Sequence, residues 1–192
     1  MQKEDGERVI EVRVSIPSRG SGFEEIRGKR ISYSSCGICG KEDYYELRKG
    51  LGRVKSSQRF SVDVIKGFSA ALGKLQPLYH KTGGAHAAIL FDHKGNAVLH
   101  GEDMGRHNAL DKVIGGALIK GISREDKIVV SSGRASLEMI LKTARAGIPL
   151  FVAMSRPTSK AVEAAKFYNI TLIDLAKRSN RIYSHARRIE GF

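Results

Sequence analysis

Lys127-Ile128-Val129-Val130-Ser131-Ser132-Gly133-Arg134 and, sixteen residues after it, Leu150-Phe151-Val152-Ala153-Met154 decide how the fold is read. Each begins as a short β-branched or apolar run, which suits a buried strand, and each ends in polar sequence that opens an amphipathic stretch. Between them Leu137, Ile140, Leu141 and Ala144 recur at helical spacing, and Gly147 stands where a left-handed residue closes a helix. Downstream, Pro157 and Thr158 open a helix through Tyr168, Asn169 can close it, and Ile170–Leu175 is the last strand expected. Upstream, Leu110, Val113, Ile114, Ala117 and Leu118 mark another helix. Before it, Ala85–Phe91 and Ala97–Gly101 form a hairpin about the turn His93-Lys94-Gly95-Asn96. Farther out, Val62, Ile65, Phe68, Leu72 and Leu75 line a helix that Ser61 caps and Pro77 stops. A helix, two strands, then helix and strand in alternation predict a layered α/β core over residues 60–192. Its sheet is expected to be mostly parallel after an antiparallel start. Residues 1–59 differ. They hold one alternating run, Val9–Val14, a Gly/Ser-rich stretch at Ser18–Gly22 and both cysteines, and read as a short irregular strand-and-loop segment.

Composition narrows the function. The 192 residues suffice for one substantial core, and no run approaches the roughly 18–20 apolar residues of a membrane span. The opening MQKEDGERVI has no apolar h-region, and two cysteines do not make a secreted disulfide framework, so a reducing cytoplasm is the expected setting. Lys and Arg number 33 against 20 acids, a net charge of +13. That field attracts a polyanion: nucleic acid, a nucleotide pyrophosphate or an acidic protein face. Without a lysine-rich block or an aromatic–glycine repeat, nucleic acid is the least favoured of the three.

Four segments carry chemistry. Ser34-Ser35-Cys36-Gly37-Ile38-Cys39-Gly40 holds the whole cysteine supply as one C-x-x-C pair, which serves metal ligation, disulfide exchange or persulfide relay. A closed zinc site wants four N or S ligands, so no metal site is expected. Little apolar sequence opposes the conformational entropy of Ser18–Gly40, and this cysteine loop is expected to be mobile when no ligand is bound. Lys81-Thr82-Gly83-Gly84-Ala85-His86 puts a glycine pair, where a ligand can approach the backbone, before a strand-initial histidine. Three corners join strand ends to helix starts: Gly101–Asn108 with Arg106 and His107, Ser131–Arg134 with Ser132, Gly133 and Arg134, and Ser155–Ser159 with Thr158. Free amides and the helix dipole suit such corners to phosphate, with plain helix capping as the alternative for each. Last, Asn180-Arg181-Ile182-Tyr183-Ser184-His185 offers hydrogen-bond donors and one aromatic face for a purine.

Together SSCGICGK, TGGAHAAIL, GEDMGRHNALDKVIG, SSGRASLEM, AGIPLFVAMSRPTSKAVE and IYSHARRI resemble the formate dehydrogenase accessory sulfurtransferase family, in the family's order, over about Ser34 to Ile189. The resemblance implies a cytidine-deaminase-like α/β core, a homodimer, and sulfur transfer from a cysteine desulfurase to the molybdenum bis-guanine-dinucleotide cofactor, which activates formate dehydrogenase. Cys36 matches the family's persulfide cysteine and Cys39 its partner. Asn180, Arg181, Ile182, Tyr183, Ser184 and His185 match the segment assigned to cofactor binding, where Asn180 and Arg181 depart from the usual residues. The bound nucleotide is thus a client, with no zinc expected. A chaperone that binds and inserts the cofactor without carrying sulfur is the other reading. A zinc deaminase is disfavoured, because His86 is followed by two alanines where the proton-shuttling acid belongs.

Overall fold

The computed structural model describes residues 3–4, 7–8, 49–176 and 180–191. The chain divides into two compact units, residues 1–33 and 34–192. In the first, β1 (Lys3–Glu4) and β2 (Glu7–Arg8) pair antiparallel. The expected strand at Val9–Val14, the Gly/Ser stretch and both cysteines lie outside the described residues.

The second unit is built on a six-stranded sheet in the order β5-β4-β6-β7-β8-β9. β3 (Phe60–Ser61) leads into α1 (Val62–Lys74), where Ser61 Oγ accepts the Asp63 amide as N-cap. Pro77 does more than stop that helix. It sits at the first position of a second one, α2 (Pro77–Thr82), where its missing N–H costs nothing. The hairpin follows as β4 (His86–Phe91) and β5 (Ala97–Asp103), with Asp92 Oδ1 accepting the Lys94 and Asn96 amides in the turn. Then come α3 (Arg106–Ile119), β6 (Ile128–Arg134), α4 (Leu137–Arg145), β7 (Leu150–Ser155), α5 (Ser159–Phe167) and β8 (Thr171–Asp174). Gly147 at φ +74° and Asn169 at φ +62° close the helices where the sequence reading put them.

The sheet corrects the expectation of mostly parallel pairing. β6–β7 and β7–β8 run parallel, but β4 is antiparallel to both β5 and β6, and β9 (Arg181–Ser184) is antiparallel to β8. A helical crossover links each parallel pair. The connection from Asp174 to Arg181 is too short for one, so the chain turns back instead. Ile170–Leu175 is therefore not the last strand: β9 and a short β10 (Ile189–Glu190) follow, the latter parallel to β3.

Strand alternation sorts the core into two layers of contact. Ala88, Leu90, Val129, Phe151 and Leu172 face Leu110, Val113, Ile140 and Ala161 on α3, α4 and α5. Ala87, Ile89, Val130 and Val152 face Ile65, Phe68 and Leu72 on α1. Residues before β3 join this unit, with Val54 buried and its amide donating to the Tyr168 carbonyl at 2.9 Å. Among the described residues no helix is long and apolar enough to cross a membrane.

Candidate functional site

The strand registers bring several of the chemistry-bearing residues to one edge of the sheet. His86 at the start of β4 lies opposite Asp103 at the end of β5. Arg134 at the end of β6 pairs with Ser155, and Asp174 at the end of β8 pairs with Arg181. The corner at Ser131–Arg134 is tighter than the sequence suggested, because β6 continues through Arg134 and α4 is capped only at Ser136.

Two corners interlock. A Cβ placed on Gly133 would stand 3.1 Å from Arg106 Cδ and 3.6 Å from His86 Nδ1, so the bare glycine lets the Arg106 stem pass over the end of β6. Ser132 Oγ accepts the Ala87 amide at 2.9 Å and lies 3.2 Å from His86 Nδ1. Burial, and after it the Arg106 charge, holds the His86 imidazole below its ordinary range. Beneath them His107 is buried, with Nδ1 3.3 Å from Glu138 Oε2 but poorly aligned for a hydrogen bond. Arg106 Nε and Ser136 Oγ are likewise buried without a hydrogen-bond partner among the described residues. Unpaired donors of this kind are uncommon inside proteins and mark a corner suited to a polar ligand or water.

Acidic side chains brace the same edge. Asp103 accepts from Lys112 Nζ at 2.8 Å, the Gly105 amide and Asn108 Nδ2, and Lys112 first among these holds its carboxyl down to about 2. Glu102 caps α2, its two oxygens accepting the Leu78 and Tyr79 amides at 2.8 and 2.9 Å. Arg134 is exposed and pairs with neither acid. Thr158 behaves as the capping alternative foresaw. Its hydroxyl accepts the Ala161 amide, and its own amide donates to Ala135 O.

The segment 180–185 is split along β9. Asn180, at φ +48°, and Ile182 line a cavity of about 450 Å³ between the first half of α1 and the end of β8, with Lys66 and Ser69 on its wall. Arg181 is exposed at the edge. Tyr183 turns to the other face and donates its hydroxyl to the buried Asp174 at 2.7 Å. Ser184 and His185 lie toward the far end of the strand. There Ser184 Oγ bridges Ile170 O and the Leu172 amide, and His185 Nε2 lies 3.0 Å from Lys166 O.

Cys36 and Cys39 lie outside the described residues, as does the cysteine loop that was expected to be mobile. Among the described residues no cluster of three His, Cys, Asp or Glu side chains is grouped as metal ligands are. Glu138 and Ser136 were not singled out from sequence. The signal for Glu138 was an acid standing three residues before Leu141, on the stripe that α4 buries.

The fold and edge define a mixed α/β protein with a histidine- and arginine-bearing corner at the ends of its strands. The sequence pattern of the FdhD/NarQ family matches residues 1–190, and the chain belongs to that family. It is 39% identical over 93% of its length to a sulfur carrier protein FdhD of Thermoplasma volcanium, and 38% identical over 94% to one of Bordetella bronchiseptica. The chain spans 64% of each of these relatives. A crystal structure described as a formate dehydrogenase accessory protein from Desulfotalea psychrophila superposes with a TM-score of 0.67 at 28% identity, covering 75% of this chain and 62% of that one.

Proposed function

We propose that this chain is a sulfur carrier in the maturation of formate dehydrogenase. Cys36 accepts sulfur from a cysteine desulfurase as a persulfide, and the sulfur passes to the molybdenum bis-guanine-dinucleotide cofactor held as client. The observation that carries the reading is the C-x-x-C pair, the chain's entire cysteine supply, in a chain 39% identical to a protein named for carrying sulfur. Cys39 either releases the sulfur as a disulfide partner or supports the loop.

The nucleotide half of the reading rests on the sheet edge. Arg106, His107, Ser132, Gly133 and Arg134 converge there with two helix N-termini, a setting suited to pyrophosphate. The cavity beside Asn180 and Ile182 has the size and apolar walls for a purine, with Lys66 and Ser69 to address its polar rim. The layered core with helices on both faces suits a cytidine-deaminase-like architecture, and the reading includes a homodimer working in the cytoplasm.

Incubation with a desulfurase and cysteine, followed by mass spectrometry, tests the carrier step. One added sulfur on Cys36, absent in Cys36→Ala, is expected. A Cys36→Ala protein that still activates formate dehydrogenase would show a chaperone that binds and inserts the cofactor without carrying sulfur.

A further inference from the structure

A groove of about 330 Å³ opens at the end of the sheet where β6 and β7 begin, away from the corner at the end of β6. One wall is the chain at residues 50–55, and the other is the last turn of α4 with Gly147 behind it. The sulfur-carrier reading makes no use of it.

The segment 50–55 is pinned at one residue. Val54 is buried, its amide donates to the Tyr168 carbonyl, and its carbonyl accepts from Asn169 Nδ2 at 2.8 Å. On either side of it the amides of Gly52, Arg53 and Lys55 have no hydrogen-bond partner among the described residues. A Cβ on Gly50, Gly52 or Gly147 would meet nothing within 4 Å, so bare backbone is open to approach on both walls. Chain held at one point with free amides beside it makes the same main-chain offer as the edge of a sheet.

Charge selects what would take that offer. Arg53 and Lys55 are exposed on the groove and form no ion pair among the described residues, and Arg145 stands on the facing wall. Glu125 is the one acid among the described lining residues. Its carbonyl accepts Ser56 Oγ at 2.7 Å, and its carboxylate bridges neither Arg53 nor Lys55. No aromatic ring is among the lining residues to stack a base, which disfavours a nucleic-acid strand. We propose that this groove receives an extended acidic segment of a protein partner. The segment's backbone pairs in a ladder along residues 52–55, and its carboxylates meet Arg53 and Lys55. Main-chain pairing supplies affinity, and the cations choose an acidic sequence over others. The inference stands apart from the sulfur-carrier reading, and neither depends on the other.

The test is fluorescence anisotropy of the full chain with a labelled octapeptide of alternating Glu and Thr. Binding that weakens as salt is added is expected. Arg53→Glu combined with Lys55→Glu should weaken it about tenfold or more, because two attractions become two repulsions. Lys74→Glu combined with Lys81→Glu makes the same charge change on exposed lysines of α1 and α2, and affinity should then stay within about twofold. Arg53→Gln with Lys55→Gln serves if the reversal does not fold, with a smaller loss in the same direction. The fully N-methylated octapeptide keeps every carboxylate but has no N–H to pair, and it should lose most of the affinity. A wild-type chain that does not bind the octapeptide overturns the proposal. Equal losses in the two reversal variants also overturn it, since only the long-range field would then be acting. Undiminished binding of the N-methylated peptide overturns the strand pairing and the proposal with it. A labelled single-stranded oligonucleotide that binds more tightly than the peptide, and loses that affinity in the Arg53 and Lys55 reversal, would give the groove to nucleic acid instead.

Discussion

His107 Nδ1 stands 3.3 Å from Glu138 Oε2 with both side chains about nine-tenths buried, and burial disfavours the charged form of each. Burial first, then the Arg106 and Lys142 charges, push the imidazole down to about 4, while burial pushes the Glu138 carboxyl up against the opposing pull of Lys142 and Arg106. The two residues join the first turns of α3 and α4, directly beneath the corner that carries Arg106 and Gly133.

Acid should therefore weaken the fold through His107. Between about 4 and its ordinary value near 6.5, the unfolded histidine binds a proton that the folded one refuses, so stability falls as pH falls. The term amounts to about 2 kcal/mol between about pH 7 and about pH 5. Glu138 acts in the opposite sense. Its raised value favours the folded state at low pH, and that contribution is lost as pH rises through it. Urea unfolding at the two pH values should show a smaller acid loss in His107→Gln and a larger one in Glu138→Gln. Equal losses in wild type and His107→Gln would mean that the folded ring binds its proton as readily as the unfolded one.

Gly133→Ala should disturb the site more than the fold. The new methyl meets Arg106 Cδ at 3.1 Å and Arg106 Cβ at 3.3 Å, and only the far part of that side chain can yield. Overpacking of this kind costs about 1–3 kcal/mol. A variant that melts a few degrees lower but loses most of its guanine nucleotide affinity is the expected result. Unchanged affinity with the same loss of stability would place the phosphates elsewhere.

Much of this core was legible because its signals are local. α1 shows Val62, Ile65, Phe68 and Leu72 at helical spacing after a serine cap, and α4 ends at a glycine with positive φ. The hairpin showed itself through the composition of its turn. What escaped reading depends on contacts far apart in sequence. Arg181-Ile182-Tyr183-Ser184 is too short and too polar to announce a strand, and it becomes β9 only because β8 offers an unpaired edge. The antiparallel place of β4 between β5 and β6 is likewise fixed by tertiary pairing, which is why the sheet reads as more parallel than it is. The site followed the same rule. His86, Arg106 and Gly133 each stood out as residues, but their convergence needed the register.

Tyr183→Phe probes one such long-range contact. The ring looked available for a purine, whereas its hydroxyl bonds Asp174, which is fully buried at the end of β8. Removing a hydrogen bond to a buried carboxylate should cost about 1.5–3 kcal/mol. Denaturant unfolding should record that loss, while calorimetry with GDP should show little change. The reverse outcome, intact stability and lost nucleotide binding, would restore the ring to the ligand.

Arg134→Ala separates a ligand contact from a structural brace. The two acids that might have braced this arginine are engaged elsewhere: Glu102 caps α2, and Asp103 holds Lys112 and the start of α3. Arg134 is thus an exposed guanidinium at the end of β6, in register with Ser155 and one residue beyond the glycine over which Arg106 passes. Its planar fork suits two oxygens of a phosphate. The substitution should leave urea unfolding unchanged within about 0.5 kcal/mol, since a surface side chain without a partner among the described residues contributes little. Guanine nucleotide affinity should fall by about 1.5–3 kcal/mol, the scale of a charge-assisted hydrogen bond. Sulfur loading of Cys36 should proceed as in the wild type, because that step draws on the desulfurase and the cysteine pair rather than on the phosphate edge. Lost stability together with unaltered nucleotide affinity would return Arg134 to bracing and move the pyrophosphate away from the end of β6.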